Sequence, residues 1–290
     1  MKYRLRHVTA YRYSEPVDLA THMLHLSPLD RPGQEVLRAA IHTAPDPARR
    51  SEGIDHFGNR VTWLFLHALH QDFSVTSEAE VAVAFAPPPA DEETPAWEEV
   101  ARLAAAAGPG AWEAAEFLFD SPHAPADASV RAWLAPPFTP GRPILAALRE
   151  LLPRFKADFK FCPGVTTIAT PVAKVLAARA GVCQDFSHVM IAGLRALGLP
   201  ARYASGYLRT RPPPGAARRF GVDQSHAWVE CWLGPAHGWL GLDPTNNLVV
   251  HDEHVLIAVG RDYADVSPVR GVILGGGAHD LTVSVDLEPV

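Results

Sequence analysis

Cysteine is scarce in this chain of 290 residues. It occurs three times, at 162, 183 and 231. The odd number and the lack of any Cys-x-x-Cys spacing exclude a disulfide framework and a structural zinc site, and in a reducing compartment leave a thiol free to act as a nucleophile. Long apolar runs are also missing. No stretch approaches the roughly 18–20 residues of a membrane span. Met1 to Tyr13 is charged and alternating, without an apolar core of signal-peptide length. These absences lead to the expectation of a cytoplasmic protein with no membrane partner. Positive charge is short too, since 26 Lys and Arg stand against 32 Asp and Glu, a net charge of −6. Arg209, Arg211, Arg218 and Arg219 cluster locally, but Pro212-Pro213-Pro214-Gly215 runs among them and the segment reads as an exposed loop. Nucleic acid is therefore not expected as a partner. No internal repeat is evident.

What is present is globular composition, 48% hydrophobic and 20% charged, in a chain long enough for one large domain or two. Residues 1–86 read as a β domain of short strands and turns. Tyr3 to Tyr11 is rich in strand formers and is closed by Ser14-Glu15-Pro16, and His22 to Pro28 is a second short piece. Asp55-His56-Phe57-Gly58-Asn59-Arg60 is a turn, which Val61 to Leu66 leaves as a strand. Pro87-Pro88-Pro89 with the acidic run after it marks a linker. Residues 87–140 then carry bridging helices, with Trp97, Val100 and Leu103 and then Trp112, Ala115 and Phe119 at helical spacing. A core spans 141–250 and opens on a helix through Ile144, Leu145, Leu148, Leu151 and Leu152, ended by Pro153. Residues 251–290 form an extension whose alternating segment 281–287 could return to pair with the N-terminal sheet. The fold class is α+β, a sandwich-like β domain followed by a helix packed on an antiparallel sheet.

The stretch Arg179-Ala180-Gly181-Val182-Cys183-Gln184-Asp185-Phe186-Ser187-His188 places Cys183 at the opening of a helix. That helix is apolar along Phe186, Val189, Met190, Leu194 and Leu197. The first turn offers unpaired N–H groups and the positive end of the helix dipole, a setting that favours an anion such as a thiolate. Ser225-His226-Ala227-Trp228 begins a cleanly alternating strand, and Trp239 to Asp243 follows a turn within Gly234 to Gly238. If that turn is tight at Gly234-Pro235, Asp243 stands close to opposite His226; a longer loop moves the pairing by two or three residues. Cys183 as nucleophile and oxyanion donor, His226 as base and Asp243 as orienter make a Cys-His-Asp acyl-transfer set. Each has an ordinary structural use as well: a small core residue, a surface imidazole, a turn cap. Their coincidence in order is what points to chemistry. Cys231 falls on the strand face opposite His226. Cys162 lies in a turn that could approach the site, but no base is identifiable for it. His251-Asp252-Glu253-His254 is the densest histidine cluster; it lacks a metal-site pattern and reads as largely solvated, so no metal and no cofactor are expected.

These segments together resemble the bacterial transglutaminase-like proteins of the papain-like superfamily over nearly the whole chain. Gly181 to His188 resembles the nucleophile segment, and Leu197-Gly198-Leu199-Pro200-Ala201-Arg202-Tyr203 with Ser205-Gly206-Tyr207-Leu208 the strand after it. Ser225 to Trp228 and Gly238 to Asn247 resemble the histidine and aspartate segments. Gly260-Arg261-Asp262-Tyr263-Ala264-Asp265-Val266-Ser267-Pro268 is similar to a signature that follows the core in this group. Residues 1 to about 85, with Asp55-His56-Phe57-Gly58-Asn59, are similar to its N-terminal β domain. The resemblance implies Cys183, His226 and Asp243 as the triad. Gln184, Asp185, Ser225, Trp228, Trp239, Cys162, Phe161, Asn246, Arg261 and Tyr263 are candidate lining residues. Phe161 stands where relatives often carry Tyr, so no hydroxyl role is carried over there. The expected activity is thiol-dependent acyl transfer on a peptide or protein amide, first a cysteine peptidase or amidase. A transglutaminase-type transamidase and a non-catalytic interaction module are the alternatives.

Overall fold

A computed structural model describes residues 1–210 and 225–290; the Pro212–Gly215 loop, with Arg211, Arg218 and Arg219, lies outside the described residues. The first unit runs β1 (Lys2–Leu24), β2 (Gln34–Ala44), β3 (Arg49–Ile54), β4 (Arg60–Leu66) and β5 (His70–Val83). Helices α1 (Trp97–Ala106), α2 (Trp112–Ala115), α3 (Ala128–Leu134) and α4 (Ile144–Asp158) follow. Next come β6 (Lys160–Phe161), α5 (Val172–Ala178), β7 (Ala180–Gly181) and α6 (Cys183–Ala196). The second sheet is built from β8 (Ala201–Leu208), β9 (Ser225–Trp232), β10 (Trp239–Asp243), β11 (Leu248–Val249) and β12 (His254–Gly260). The chain ends with α7 (Tyr263–Val266), β13 (Val269–Gly275) and β14 (His279–Pro289).

Where the sequence suggests two short strands at the start, the structure has one long strand with a break in pairing. β1 pairs with β5 and β14 through its first half and with β4 and β13 through its second, and the register slips between Arg12 and Val17. Pro16 sits in that slip, where a residue without an N–H does no harm to a ladder. The two half-sheets share β1 and enclose Tyr13, Val17, Leu24, Ile41, Leu64 and Phe73. The other end of the sheet is not independent of the core. Tyr3, Leu5, Val81, Val83, Val285 and Leu287 belong to the same buried cluster as α4 and α6.

Helix α4 also differs from the sequence reading, running through Pro153 to Asp158 with Leu151, Leu152 and Phe155 all buried. Pro153 and Arg149, whose carbonyl loses its helical partner, both lie on the exposed side, where water can take over. Phe119, expected on a helix face, follows the last turn of that segment and is 69% exposed.

The second sheet has the order β11-β10-β9-β8-β12 and is antiparallel throughout. Its outer strand β12 offers a free backbone edge, the kind of edge that invites mispairing. Two amide side chains of the first unit close it. Gln34 bonds both the N–H and the C=O of Leu256 at 2.8 Å, and Asn59 does the same for Val259 at 2.8 and 2.7 Å. Asn59 is held by Asp55, which also accepts from His25. The turn 55–59 is thus a docking device between the sheets.

Candidate active site

The backbone before Cys183 is prepared by several local constraints. Arg179 takes a left-handed conformation (φ 52°), and Ala180–Gly181 pairs in parallel with Lys160–Phe161. Val182 is extended, and α6 starts at Cys183. Val182 has no side chain that can cap, so Asp185 reaches back. Its Oδ2 accepts the Val182 N–H and the Thr166 hydroxyl, both at 2.7 Å. A Cβ on Gly181 would stand 2.6 Å from that oxygen, which explains glycine there. From Asp185 to Arg195 the helix is buried on all sides, while Cys183 remains half-buried at its tip.

His226 is the second residue of β9, and its strand alternates as expected. Ala227, Val229 and Cys231 join the core cluster that contains α6, while Trp228 joins Ala204, Leu256 and Val259 on the other face. The turn to β10 is not tight at Gly234-Pro235. Leu233 N–H bonds Gly238 O, and Gly234 and Gly238 both have positive φ. Leu242 therefore pairs with Val229, and Asp243 falls opposite Trp228 rather than His226. A shift of two residues preserves the face, and the His226 ring reaches diagonally. Its Nε2 bonds Asp243 Oδ2 at 2.7 Å.

Asp243 is fully buried, and donors surround it. Oδ1 accepts the Thr245 and Asn246 backbone N–H groups at 3.0 and 3.1 Å. Oδ2 accepts from His226, from Asn246 Nδ2 at 2.8 Å and from His254 Nε2 at 3.3 Å. Burial works against its charge, but the hydrogen bonds from His226 and His254 outweigh it and hold the carboxyl far below the ordinary range. Burial likewise opposes a charged His226. Hydrogen bonds to Asp243 and then to Cys183 prevail and raise its pKa to about 10. With Nε2 on Asp243, Nδ1 is the nitrogen left to meet the thiol.

The other candidate residues separate. Asn246 joins the cluster. Trp228 is buried beside His226, ring centroids 6.2 Å apart. Gln184 is half-buried next to Cys183, Asp185 is the helix cap, and Ser225 is exposed at the strand end. Phe161 and Cys162 lie along the Cys183 segment, the Cys162 N–H bonding Gly181 O at 2.8 Å. Trp239 points elsewhere, stacking on Arg202 at 4.1 Å. Arg261 is paired with Asp265, and Tyr263 gives its N–H to His188. Cys231 is fully buried, and burial pushes its thiol pKa up.

Sequence reasoning missed His254. The expectation that the 251–254 cluster is solvated fails for this residue, which is fully buried. The signal was its place directly before the apolar run Val255-Leu256-Ile257, as the first residue of a strand. One ring nitrogen each of His226 and His254 and one carboxylate oxygen of Asp243 lie within 4.8 Å of one another and are donor types that hold transition metals. At 2.7 and 3.3 Å from Oδ2, both nitrogens are also at hydrogen-bond distance.

Cavities do not single out this place. One of about 920 Å³ lies on the N-terminal sheet around His22, Trp63 and Arg270. Another of about 630 Å³ lies between the sheets, along Glu230 and Trp239. Neither is lined by Cys183, His226 or Asp243, so the candidate site rests on side-chain chemistry and geometry.

Comparison with known proteins agrees with the architecture. Residues 3–82 match the bacterial transglutaminase-like N-terminal region, and residues 142–244 match the transglutaminase-like superfamily. An uncharacterized protein of Mycobacterium tuberculosis is 40% identical over 99% of this chain and 93% of its own length. A protein-glutamine gamma-glutamyltransferase of Pseudomonas aeruginosa is 44% identical over 69 residues, 23% of this chain and 10% of that protein. A candidate cysteine protease of Cytophaga hutchinsonii, solved by crystallography, shares the fold with a TM-score of 0.75 at 24% identity, covering 99% of this chain and 90% of that one. With both of its sequence regions matched and a full-length relative at 40% identity, the chain belongs to the bacterial transglutaminase-like proteins of the transglutaminase-like superfamily.

Proposed function

We propose that the protein is a cysteine-dependent peptidase or amidase with Cys183 as nucleophile, His226 as acid and base, and Asp243 as orienter. The observation that carries this reading is the His226 ring bonded at 2.7 Å to a fully buried carboxylate, with Cys183 near enough to act on the ring's charge. A ring that keeps its proton at neutral pH stabilises a thiolate beside it, and the first turn of α6 adds to that stabilisation. The Cys183 thiolate adds to the carbonyl carbon of an amide. The oxyanion is met by the backbone N–H of Cys183. His226 gives its proton to the departing amine as the C–N bond breaks, leaving a thioester. Water then adds to the thioester and gives a proton to His226. Collapse releases the acid and restores the thiolate beside the protonated ring.

A second reading replaces water by a primary amine, which makes the reaction a transamidation. The segment shared with the Pseudomonas aeruginosa transferase favours it. Solvent water is the default acceptor, whereas an amine must be bound and oriented to compete, so hydrolysis is the first choice.

The triad is tested by iodoacetamide labelling resolved by peptide mapping. Cys183 is expected to label faster than Cys162 or Cys231, and His226→Ala to remove the difference. Equal, slow labelling of all three overturns the assignment. The acceptor is tested with a peptide library plus a labelled primary amine, following both products by mass spectrometry. Amine incorporation outrunning hydrolysis replaces the first reading by the second.

A further inference from the structure

Asp243 is the last residue of β10 and His254 the first of β12, and these strands stand three steps apart in the sheet order. On a flat sheet the separation would be about 14 Å, at roughly 4.8 Å per step. The two side chains nonetheless meet at 3.3 Å. The sheet curls so that the ends of β10, β9 and β12 converge, and His254 spans the gap. It packs edge-on against Trp228, ring centroids 5.3 Å apart, and 6.2 Å from the His226 ring. We infer that His254 is a positioning residue, a second and permanently neutral imidazole that fixes the Asp243 carboxylate so that its charge serves His226.

Neutrality follows from the surroundings. An ionised carboxylate only accepts, so His254 Nε2 carries the hydrogen and donates to Oδ2. The other nitrogen, Nδ1, is buried and has no hydrogen-bond partner among the described residues. Protonating it would bury an N–H with nothing to accept it, which is strongly unfavourable. Burial, the largest influence, lowers the His254 pKa accordingly, and Asp243 only partly opposes this. A charged His254 would compete with His226 for the one negative charge on Asp243; a neutral one holds the carboxylate without neutralising it. The titratable groups facing this pair, among the described residues, are Cys183 from α6, Asp243 from β10, and His251 before β12, whose ring centroid is 5.4 Å from that of His254.

This inference rests on the acyl-transfer reading, and the test separates the two. The rate of Cys183 alkylation is measured against pH in the wild type, in His254→Phe, which fills the space without a donor, and in His254→Gln, which keeps one. The expected result for His254→Phe is a rate about tenfold lower, the equivalent of one hydrogen bond to a charged group. Its alkaline limb should move about one pH unit down, because a loosened Asp243 holds the His226 proton less firmly. His254→Gln should recover most of both. Slow wild-type labelling would sink the acyl-transfer reading itself. Fast wild-type labelling with an unchanged rate and profile in His254→Phe would sink only the role of His254. Should His254→Phe fail to fold, nitrogen NMR of the wild type with labelled histidine decides. A neutral Nε2–H ring from pH 5 to 9 is expected, and a charged ring in that range overturns the inference. Slower wild-type labelling in EDTA would also overturn it, since His254 would then be serving an ion.

Discussion

Asp243 and Glu230 are both buried carboxylates, on adjacent strands of one sheet and with both oxygens engaged. Their partners differ in kind. Glu230 lies between two guanidinium groups, Arg31 at 2.6 Å from the first unit and Arg202 at 2.7 Å from β8. Burial disfavours its charge, but Arg31 and Arg202 prevail and bring its pKa down to about 2. With guanidinium groups from the first unit and from β8 on its two oxygens, Glu230 acts as a fixed joint between the two sheets. Asp243 lies instead among two imidazoles, an amide and two backbone N–H groups. In the proposed mechanism one of those imidazoles, His226, exchanges a proton with the Cys183 thiol. The same side-chain type yields a mechanical element in one place and a chemical one in the other, according to whether its partners can titrate.

The largest effect that would break this contrast is on Cys183. Asp243→Asn is expected to slow its alkylation on the order of 100-fold, because the amide no longer fixes the ring or holds its proton. Glu230→Gln should leave the rate in the folded protein unchanged. Comparable slowing by both substitutions would show that the two clusters are not separate in function. Glu230→Gln leaves two arginines facing each other without their counter-charge and is expected to lower unfolding free energy by about 3 kcal/mol, read from chemical denaturation.

Denaturation at a series of pH values sharpens the contrast further. The folded pKa of His226, about 10, stands above its ordinary value of 6.5. Its contribution is therefore fully present below pH 6.5 and is lost as pH rises through 10. The folded pKa of Glu230, about 2, stands below 4.5. Its contribution is present above pH 4.5 and is lost as pH falls through 2. Asp243→Asn should flatten the alkaline loss, and Glu230→Gln the acid one. The smallest expected effect is at the helix cap. Thr166→Val removes one hydrogen bond to Asp185 and should lower stability by about 1 kcal/mol, with the Asp185 bond to Val182 still holding the start of α6.

Much of this was legible in the residues. The buried face of α6, the alternation along β9 and the chemical types at 183, 226 and 243 all follow from local periodicity and side-chain chemistry. Pro16 and Pro153 misled because a proline's effect depends on what its missing N–H would have met. At Pro16 it falls in a slip of register, and at Pro153 on the wet side of a helix. His254 was hidden for a different reason. Its neighbours His251, Asp252 and Glu253 are polar, and nothing in a local window shows that the sheet curls enough to bring it to Asp243.

The sequence by itself determined which residues could carry proton and acyl chemistry, and which strand and helix faces they occupy, because both depend on side-chain type and short-range period. Only the tertiary structure decided which carboxylate meets the imidazole and how. The five-residue turn set the register, the curled sheet brought a second histidine to Asp243, and Arg31 and Arg202 committed Glu230 to the joint. Those outcomes rest on distances between segments far apart in the chain, and such distances are set by packing.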